Sequence, residues 1–319
     1  MHRHQLFSVL LPVMLLAAAR EVDSQVNEPA DESAETYRLR VPVDEVSVTF
    51  YASDAHGLAV NDLRAEELRF LDNGRSPRKI LSFALRKDLP IRAGILVDTS
   101  KSMRGHLAGD RAIASASALL SLRQKTDRAF VMDFGRLTHI LQPWTSDPDV
   151  LGAGVRKAGT SGEGRLHGTA IFDTVQRACL YQFGKVEGEA GSNVILLFSD
   201  GEDNASSLSL KDAVDMCQRN RTVIYAFRAD VEGGSGSTGP GTLAELTSET
   251  GGRVFHDDDS QAAIASELQM IEGDLRSRYE VVYRPAALKH DGSFHRISVL
   301  APERVDRVMV RSGYYAPGR

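Results

Sequence analysis

Between Ile91 and about Ile271 the chain alternates short apolar runs with segments of helical period, and this alternation constrains its fold more than any other feature. The runs Ala93 to Val97, Ala129 to Phe134, Val194 to Phe198 and Val223 to Phe227 have the length of strands buried on both faces. Stretches 108–121, 169–183 and 210–219 carry helical spacing. Strand, helix and strand in repetition require right-handed crossovers. The expected fold class is therefore α/β, with a doubly wound, mostly parallel sheet covered on both faces.

The flanks carry a different pattern. From Tyr37 to about Leu89, Val41, Val43, Val46, Val48 and Phe50 mostly alternate with polar residues. Leu68 and Phe70 alternate before the turn signal Asp72-Asn73-Gly74. After about Ser277 the strand pattern returns at Tyr279, Val281 and Tyr283, at His295, Ile297 and Val299, and at Val308 and Val310 before Gly313-Tyr314-Tyr315. A segment of about forty residues buries too little surface to fold alone. The two flanks are therefore expected to combine into one small, sandwich-like all-β domain. The expected division is 1–19, a signal peptide; 20–36, a polar linker; 37–89, an N-terminal β unit; 90–276, the α/β domain; and 277–319, strands that pack with 37–89. The stretch Gly233 to Gly241 reads as a surface loop.

His2, Arg3 and His4, the apolar run Leu6 to Leu16 and the small residues Ala17-Ala18-Ala19 have the pattern of a secretory signal peptide cleaved near Ala19. The run is too short to span a bilayer. The expected mature chain is secreted or periplasmic, with no membrane span. Lys and Arg number 38 against 43 Asp and Glu, a net charge of −5, so no basic field is available to draw in nucleic acid. Cys179 and Cys217 are too few for a disulfide scaffold and too far apart for a CxxC site; they could pair in an oxidising compartment, but buried free thiols are the commoner state and the expected one.

The residues that carry chemistry stand where strands end. The first apolar strand of the α/β region runs into Asp98-Thr99-Ser100-Lys101-Ser102, and Val194 to Ser199 runs into Asp200-Gly201-Glu202-Asp203. The carboxyl edge of a parallel sheet is where such folds place ligands. Capping of the next helix is the plain alternative for Asp98 and Ser100. A third segment, Gly168-Thr169-Ala170, opens a helix. Two carboxylates and three hydroxyls are all oxygen donors, a set for a hard divalent ion such as Mg²⁺, Mn²⁺ or Ca²⁺ and a poor set for zinc.

Asp98-x-Ser100-x-Ser102, Thr169 and Asp200 resemble the metal-ion-dependent adhesion site of von Willebrand factor type A domains, with 71 residues from Asp98 to Thr169 and 31 from Thr169 to Asp200. The resemblance covers roughly 91–271; the flanks more loosely resemble those of bacterial secreted proteins built around such a domain. It implies that Ser100, Ser102 and Thr169 coordinate the ion, most simply Mg²⁺, and that Asp98 and Asp200 hold it directly or through water. It also implies a non-enzymatic, exported protein-binding module, whose open coordination position accepts an Asp or Glu carboxylate of a partner protein. Two alternatives remain: a Mg²⁺-dependent phosphatase-type hydrolase with Asp98 as nucleophile, and a structural domain with a vestigial site. The first lacks the usual second Asp two residues on, a position held by Ser100.

Other features carry plainer readings. Glu202 and Asp203 read as a solvated loop, His167 as a surface residue, and Asp257-Asp258-Asp259 as the cap of the following helix. Lys101 beside Ser100 makes no Ser-Lys nucleophile, because adjacent side chains diverge. The sequons at Asn204 and Asn220 are chance-level triplets.

Overall fold

The computed structural model describes residues 45–318 apart from 107–108, 111–112, 115–121, 161–167, 186–190, 230–237 and 257–260. The expected signal peptide and linker, Val41 and Val43, His167, Asp257 to Asp259 and most of 108–121 lie outside the described residues.

A six-stranded sheet is built from β4 (Ile91–Asp98), β5 (Arg128–Phe134), β6 (Thr138–Thr145), β7 (Ser192–Ser199), β8 (Thr222–Arg228) and β9 (Val254–His256), in the order β6-β5-β4-β7-β8-β9. All neighbours run parallel except the pair β5 and β6. Every residue of β4 is buried, as an apolar run at the centre of a doubly covered sheet requires. The period of two divides the run: Ile91, Ala93, Ile95 and Val97 join one core cluster and Leu96 joins the other. Gly94 leaves room on the second face for the Phe130 ring, which meets Trp144 and Phe183 edge-on. Each such fully buried aliphatic or aromatic side chain contributes about 1.5–3 kcal/mol.

The described helices are α1 (Pro148–Arg156), α2 (Ile171–Arg177), α3 (Leu210–Arg219), α4 (Gly239–Thr250) and α5 (Gln261–Arg276). Three details depart from the sequence reading. Strand β6 was not anticipated; it lies at an edge, where Pro143 has no ladder partner to deprive of a donor. Gly239, Pro240 and Gly241 are the first turn of α4, a place where proline's fixed φ and missing N–H cost nothing. Cys179 and Cys217 form a disulfide, correcting the expectation of free thiols. Cys179 follows α2 and Cys217 lies on α3, and these neighbouring helices bring their Cα atoms to 5.1 Å.

The flanking strands are β1 (Val46–Ser53), β2 (Arg69–Asp72), β3 (Lys79–Arg86), β10 (Arg278–Arg284), β11 (Phe294–Leu300), β12 (Arg307–Val310) and β13 (Gly313–Tyr315). They form two antiparallel sheets, ordered β12-β1-β10-β3 and β13-β11-β2. In the first sheet strands from before and after the α/β region alternate, with Val48 opposite Val281, and in the second β2 joins two strands from after it. Their shared core includes Phe50, Phe70, Tyr279, Val281, Ile297 and Tyr314. Asn73 and Gly74 both take positive φ, +49° and +76°, as the expected tight turn demands, and Asp72 and Arg75 exchange both backbone hydrogen bonds. The chain leaves that turn to pair with β10, not β2, which puts Phe83 in a stack with Tyr279 at 5.3 Å.

A buried polar network spans this core. Asp72 receives hydrogen bonds from the hydroxyls of Tyr283 at 2.9 Å and Tyr314 at 2.7 Å, and its other oxygen lies 2.6 Å from Nδ1 of His295. A second buried carboxylate, Asp274 of α5, accepts from the Tyr225 hydroxyl at 2.7 Å. Burial pushes Asp274 from the ordinary 3.8 up to about 6, and the hydrogen bond from Tyr225 and the charges of Arg278 and Arg253 only partly oppose this.

The sign of the resulting pH dependence follows. The folded state holds this proton more tightly than the unfolded state, so Asp274's contribution is fully present below about pH 4 and is lost as pH rises through about 6. The loss amounts to about 3 kcal/mol. Urea denaturation at pH 4.5 and 7.5 checks this: Asp274→Asn is expected to gain stability relative to the parent as pH rises. A parallel pair of curves would contradict it.

Candidate metal centre

Asp98, Ser100, Ser102, Thr169 and Asp200 come from three segments at the carboxyl edge of the sheet. β4 ends at Asp98, which is fully buried. The backbone N–H of Ser100 donates to one carboxylate oxygen at 2.8 Å, a local turn that Asp forms readily. The Ser199 hydroxyl, at the end of β7, donates to the other at 2.7 Å. Ser199 in turn accepts from the Gly201 N–H at 3.0 Å, so a single hydroxyl ties Asp98 to the loop that carries Asp200. The hydroxyls of Ser100 and Ser102 lie 3.2 Å apart. Ser100 is almost buried, whereas Ser102 is exposed and opens the site to solvent.

Thr169 reaches the same place through Gly135. Ala170 N–H donates to the Gly135 carbonyl at 2.9 Å, and the vacant side-chain direction of Gly135 points toward Gly168 and the Ser100 N–H. Thr99 N–H donates to the Phe134 carbonyl at 2.7 Å, which binds the loop after β4 to the end of β5. On its other side, the Thr169 carbonyl accepts from the N–H groups of Asn204 and Ala205, each at 3.0 Å, and the Thr169 N–H donates to Asn204 Oδ1 at 2.9 Å. The Thr169 side chain is buried, and no hydrogen bond to its hydroxyl is found among the described residues.

The loop after β7 is clamped from behind. Gly201 has φ +85°, and its Cα packs so closely on Gly239 that no side chain fits at either position. Glu202 turns away to the start of α4, accepting from Gly239 N–H at 2.8 Å and from the Thr238 hydroxyl at 3.0 Å. Asp203 accepts from Phe172 N–H at 3.0 Å and so caps α2. Both belong to the loop's framework, with structural partners of their own. Sequence reasoning singled out neither Ser199 nor the framework role of Asn204; the position of Ser199 directly before Asp200 was the available signal for the first.

Two carboxylates share this edge. Burial drives Asp98 from the ordinary 3.8 up to about 7; the hydrogen bonds from Ser199 and Ser100 oppose the rise, and the charge of Asp200 adds to it. A buried carboxylate beside a second acid is costly when ionised and becomes favourable beside a cation. The hydroxyls of Ser100 and Ser102 on the loop after β4, and of Thr169 on the neighbouring segment, are neutral oxygen donors. The chemistry of this set therefore fits a hard divalent ion. Among the described residues no group of three or more His, Cys, Asp and Glu is placed to hold a metal ion, so a softer or all-acidic site is not formed by them.

The fold and this edge together define a class: an open α/β domain with acidic and hydroxyl side chains gathered at the carboxyl ends of its strands, where such folds place ligands. The family model of the von Willebrand factor type A domain matches residues 94–202, a span that runs from β4 to just past Asp200. The largely parallel sheet flanked by helices is consistent with that fold, to which the two flanking sheets are additions. Domains of this type are commonly metal-dependent interaction modules. Among solved structures, the chain is similar to the protein BatB of Bacteroides thetaiotaomicron, with 17% identity and TM-score 0.46 over 57% of this chain and 98% of that one. It is also similar to proximal thread matrix protein 1 of the mussel byssus, with a zinc-occupied MIDAS motif in that protein; identity is 15% and TM-score 0.49 over 64% of this chain and 50% of that one. The von Willebrand factor domain of the pilus tip protein Mfa5 of Porphyromonas gingivalis aligns with 13% identity and TM-score 0.43 over 59% and 97% of the two chains. No curated protein matches the chain.

Proposed function

We propose that the protein is an exported, non-enzymatic, protein-binding module whose capture of a partner depends on a divalent ion, Mg²⁺ in the first instance. The observation that supports this reading is the buried Asp98 carboxylate, hydrogen-bonded to Ser100 N–H and to the Ser199 hydroxyl next to Asp200, with the Ser102 hydroxyl beside that of Ser100. Ser100, Ser102 and Thr169 would hold the ion through hydroxyl oxygen, and Asp98 and Asp200 directly or through water. When bound, the ion supplies an electrophilic position that a partner's Asp or Glu carboxylate can complete. The chain's own part is to fix the donors: Ser199 and the Ser100 N–H orient the Asp98 carboxylate, and Asn204 fixes Thr169. Export rests on the signal-like N-terminus; among the described residues no helix is long and apolar enough to cross a membrane.

Thr169→Val removes one hydroxyl with almost no change in size and keeps the backbone bonds to Asn204. It is expected to weaken Mg²⁺ or Mn²⁺ at least about ten-fold while the melting temperature of the metal-free chain stays within a few degrees. Unchanged affinity would remove Thr169 from the site. The partner carboxylate is tested by water-proton relaxation of the Mn²⁺-loaded chain. The bound ion should enhance relaxation through its exchangeable water, and an Asp-containing peptide should lower that enhancement saturably. An enhancement that no carboxylate peptide alters contradicts the proposed mode of capture.

A further inference from the structure

The opposite edge of the six-stranded sheet holds a second polar feature. Where β8 begins, a small, partly open cleft lies between the sheet and the flanking strands. β8 runs from Thr222 at this cleft to Arg228, which pairs with Ser199 beside Asp200. Seven residues at about 3.3 Å each put the cleft about 20 Å from the candidate metal centre.

Three arginines from three segments line it: Arg221 after α3, Arg278 at the start of β10 and Arg311 after β12. The guanidinium of Arg311 donates to two backbone carbonyls, Gln218 at 3.1 Å and Ser47 at 3.0 Å, and among the described residues to no carboxylate. Burial and the nearby charge of Arg221 lower it to about 10. Arg278 is only 6% exposed; its Nε donates to the Asp274 carbonyl at 2.9 Å, and its Nη2 is buried without a hydrogen-bond partner. The Asp274 carboxylate attracts Arg278, but burial works against that carboxylate's ionisation. Arg221 is exposed and held at φ +51°, a left-handed position that glycine takes freely and that costs other residues about 1–2 kcal/mol. Thr49 and Thr222 line the same cleft, and no Asp or Glu does among the described residues.

We propose that this cleft is an anion site for a phosphate group, either free or carried on a small molecule. Guanidinium forks match phosphate oxygens in pairs, and Arg221 and Arg311, bonded to no carboxylate among the described residues, leave that capacity unspent. Three guanidiniums and the Thr49 hydroxyl offer more donors, from more directions, than one planar carboxylate accepts. A dianion also relieves the repulsion between Arg221 and Arg311.

The test is calorimetric titration of the full chain, free of divalent ions, with inorganic phosphate, glycerol phosphate and succinate in chloride of matched ionic strength. Saturable binding of inorganic phosphate or glycerol phosphate, tighter than that of succinate, is expected; the tighter of the two phosphates identifies the source. Arg221→Gly relieves the left-handed strain, so it should fold with an unchanged or higher melting temperature while binding phosphate at least about ten-fold more weakly. Arg311→Lys keeps the charge but loses the fork and should also weaken binding. Asp98→Asn should leave phosphate binding intact, which separates this site from the metal centre. Absence of saturable phosphate binding, full affinity in Arg221→Gly, or tighter binding of succinate overturns the proposal.

Discussion

Asp98→Asn is expected to make the metal-free protein more stable at pH 8 and to remove its stabilisation by Mg²⁺. The carboxylate is fully buried and pushed up to about 7, so at pH 8 the metal-free fold carries an ionised acid in a site that disfavours it. In full, that penalty is about 4 kcal/mol. Asparagine is also polar and buried, so the variant recovers only part of it, about 1–3 kcal/mol. Its amide preserves the network, since Oδ1 can accept from the Ser100 N–H and Nδ2 can face the Ser199 oxygen. The sign follows from linkage: the folded pKa lies above the unfolded one, so the penalty is absent near pH 4 and complete above about pH 7. With Mg²⁺ at a hundred times its dissociation constant, the parent should gain about 2.7 kcal/mol and the variant nothing. Urea denaturation of both chains with and without Mg²⁺ reads both effects. A variant that unfolds in the absence of metal would make Asp98 a structural residue.

Asp72→Ala is expected to destabilise the flanking sandwich by about 3–5 kcal/mol. Asp72 lies at the end of β2 and is 4% exposed, and it holds Tyr283 of β10, His295 of β11 and Tyr314 of β13. Removing it leaves two hydroxyls and an imidazole without their acceptor in a core lined by Phe50, Phe70 and Val281. Because these partners come from both sheets of the sandwich, the loss is not local. The matching drop in melting temperature is about 10 °C, measurable by circular dichroism. Tyr314→Phe removes one hydroxyl of the same network, with its bond to Asp72 and its contact with His295, and should cost about 1–2 kcal/mol. Equal effects of the two variants would mean that the network is not anchored on Asp72.

Much of this architecture is written in local pattern. β4, β7 and β8 are legible because strands buried on both faces become unbroken apolar runs. The sandwich is legible in outline because its strands alternate, as Val48 and Phe50 do. Pairing partners are not: the Asp72-Asn73-Gly74 signal fixes a turn, whereas the pairing of β3 with β10 depends on where Phe83 finds Phe50 and Tyr279. Edge strand β6 is half-exposed and interrupted by Pro143, so it carries neither a buried run nor clean alternation. The disulfide also depends on tertiary placement, since 38 residues separate the two cysteines. At the sheet edge, side chains of the right chemistry at strand ends are visible in sequence. What holds them is less so: Ser199, Gly135 and Asn204 act through single hydrogen bonds and close approaches that no spacing announces. The arginines of the cleft are 90 residues apart from Arg221 to Arg311 and come together where the segment after β12 bonds to Gln218 and Glu249.

The measurement that bears most directly on the central claim is calorimetric titration of the purified chain with Mg²⁺, Mn²⁺ and Ca²⁺, beside the Asp98→Asn variant. The expected result is saturable binding of one ion per chain by the parent and none by the variant. Absence of binding for all three ions, or equal binding by both chains, would contradict a metal centre at Asp98.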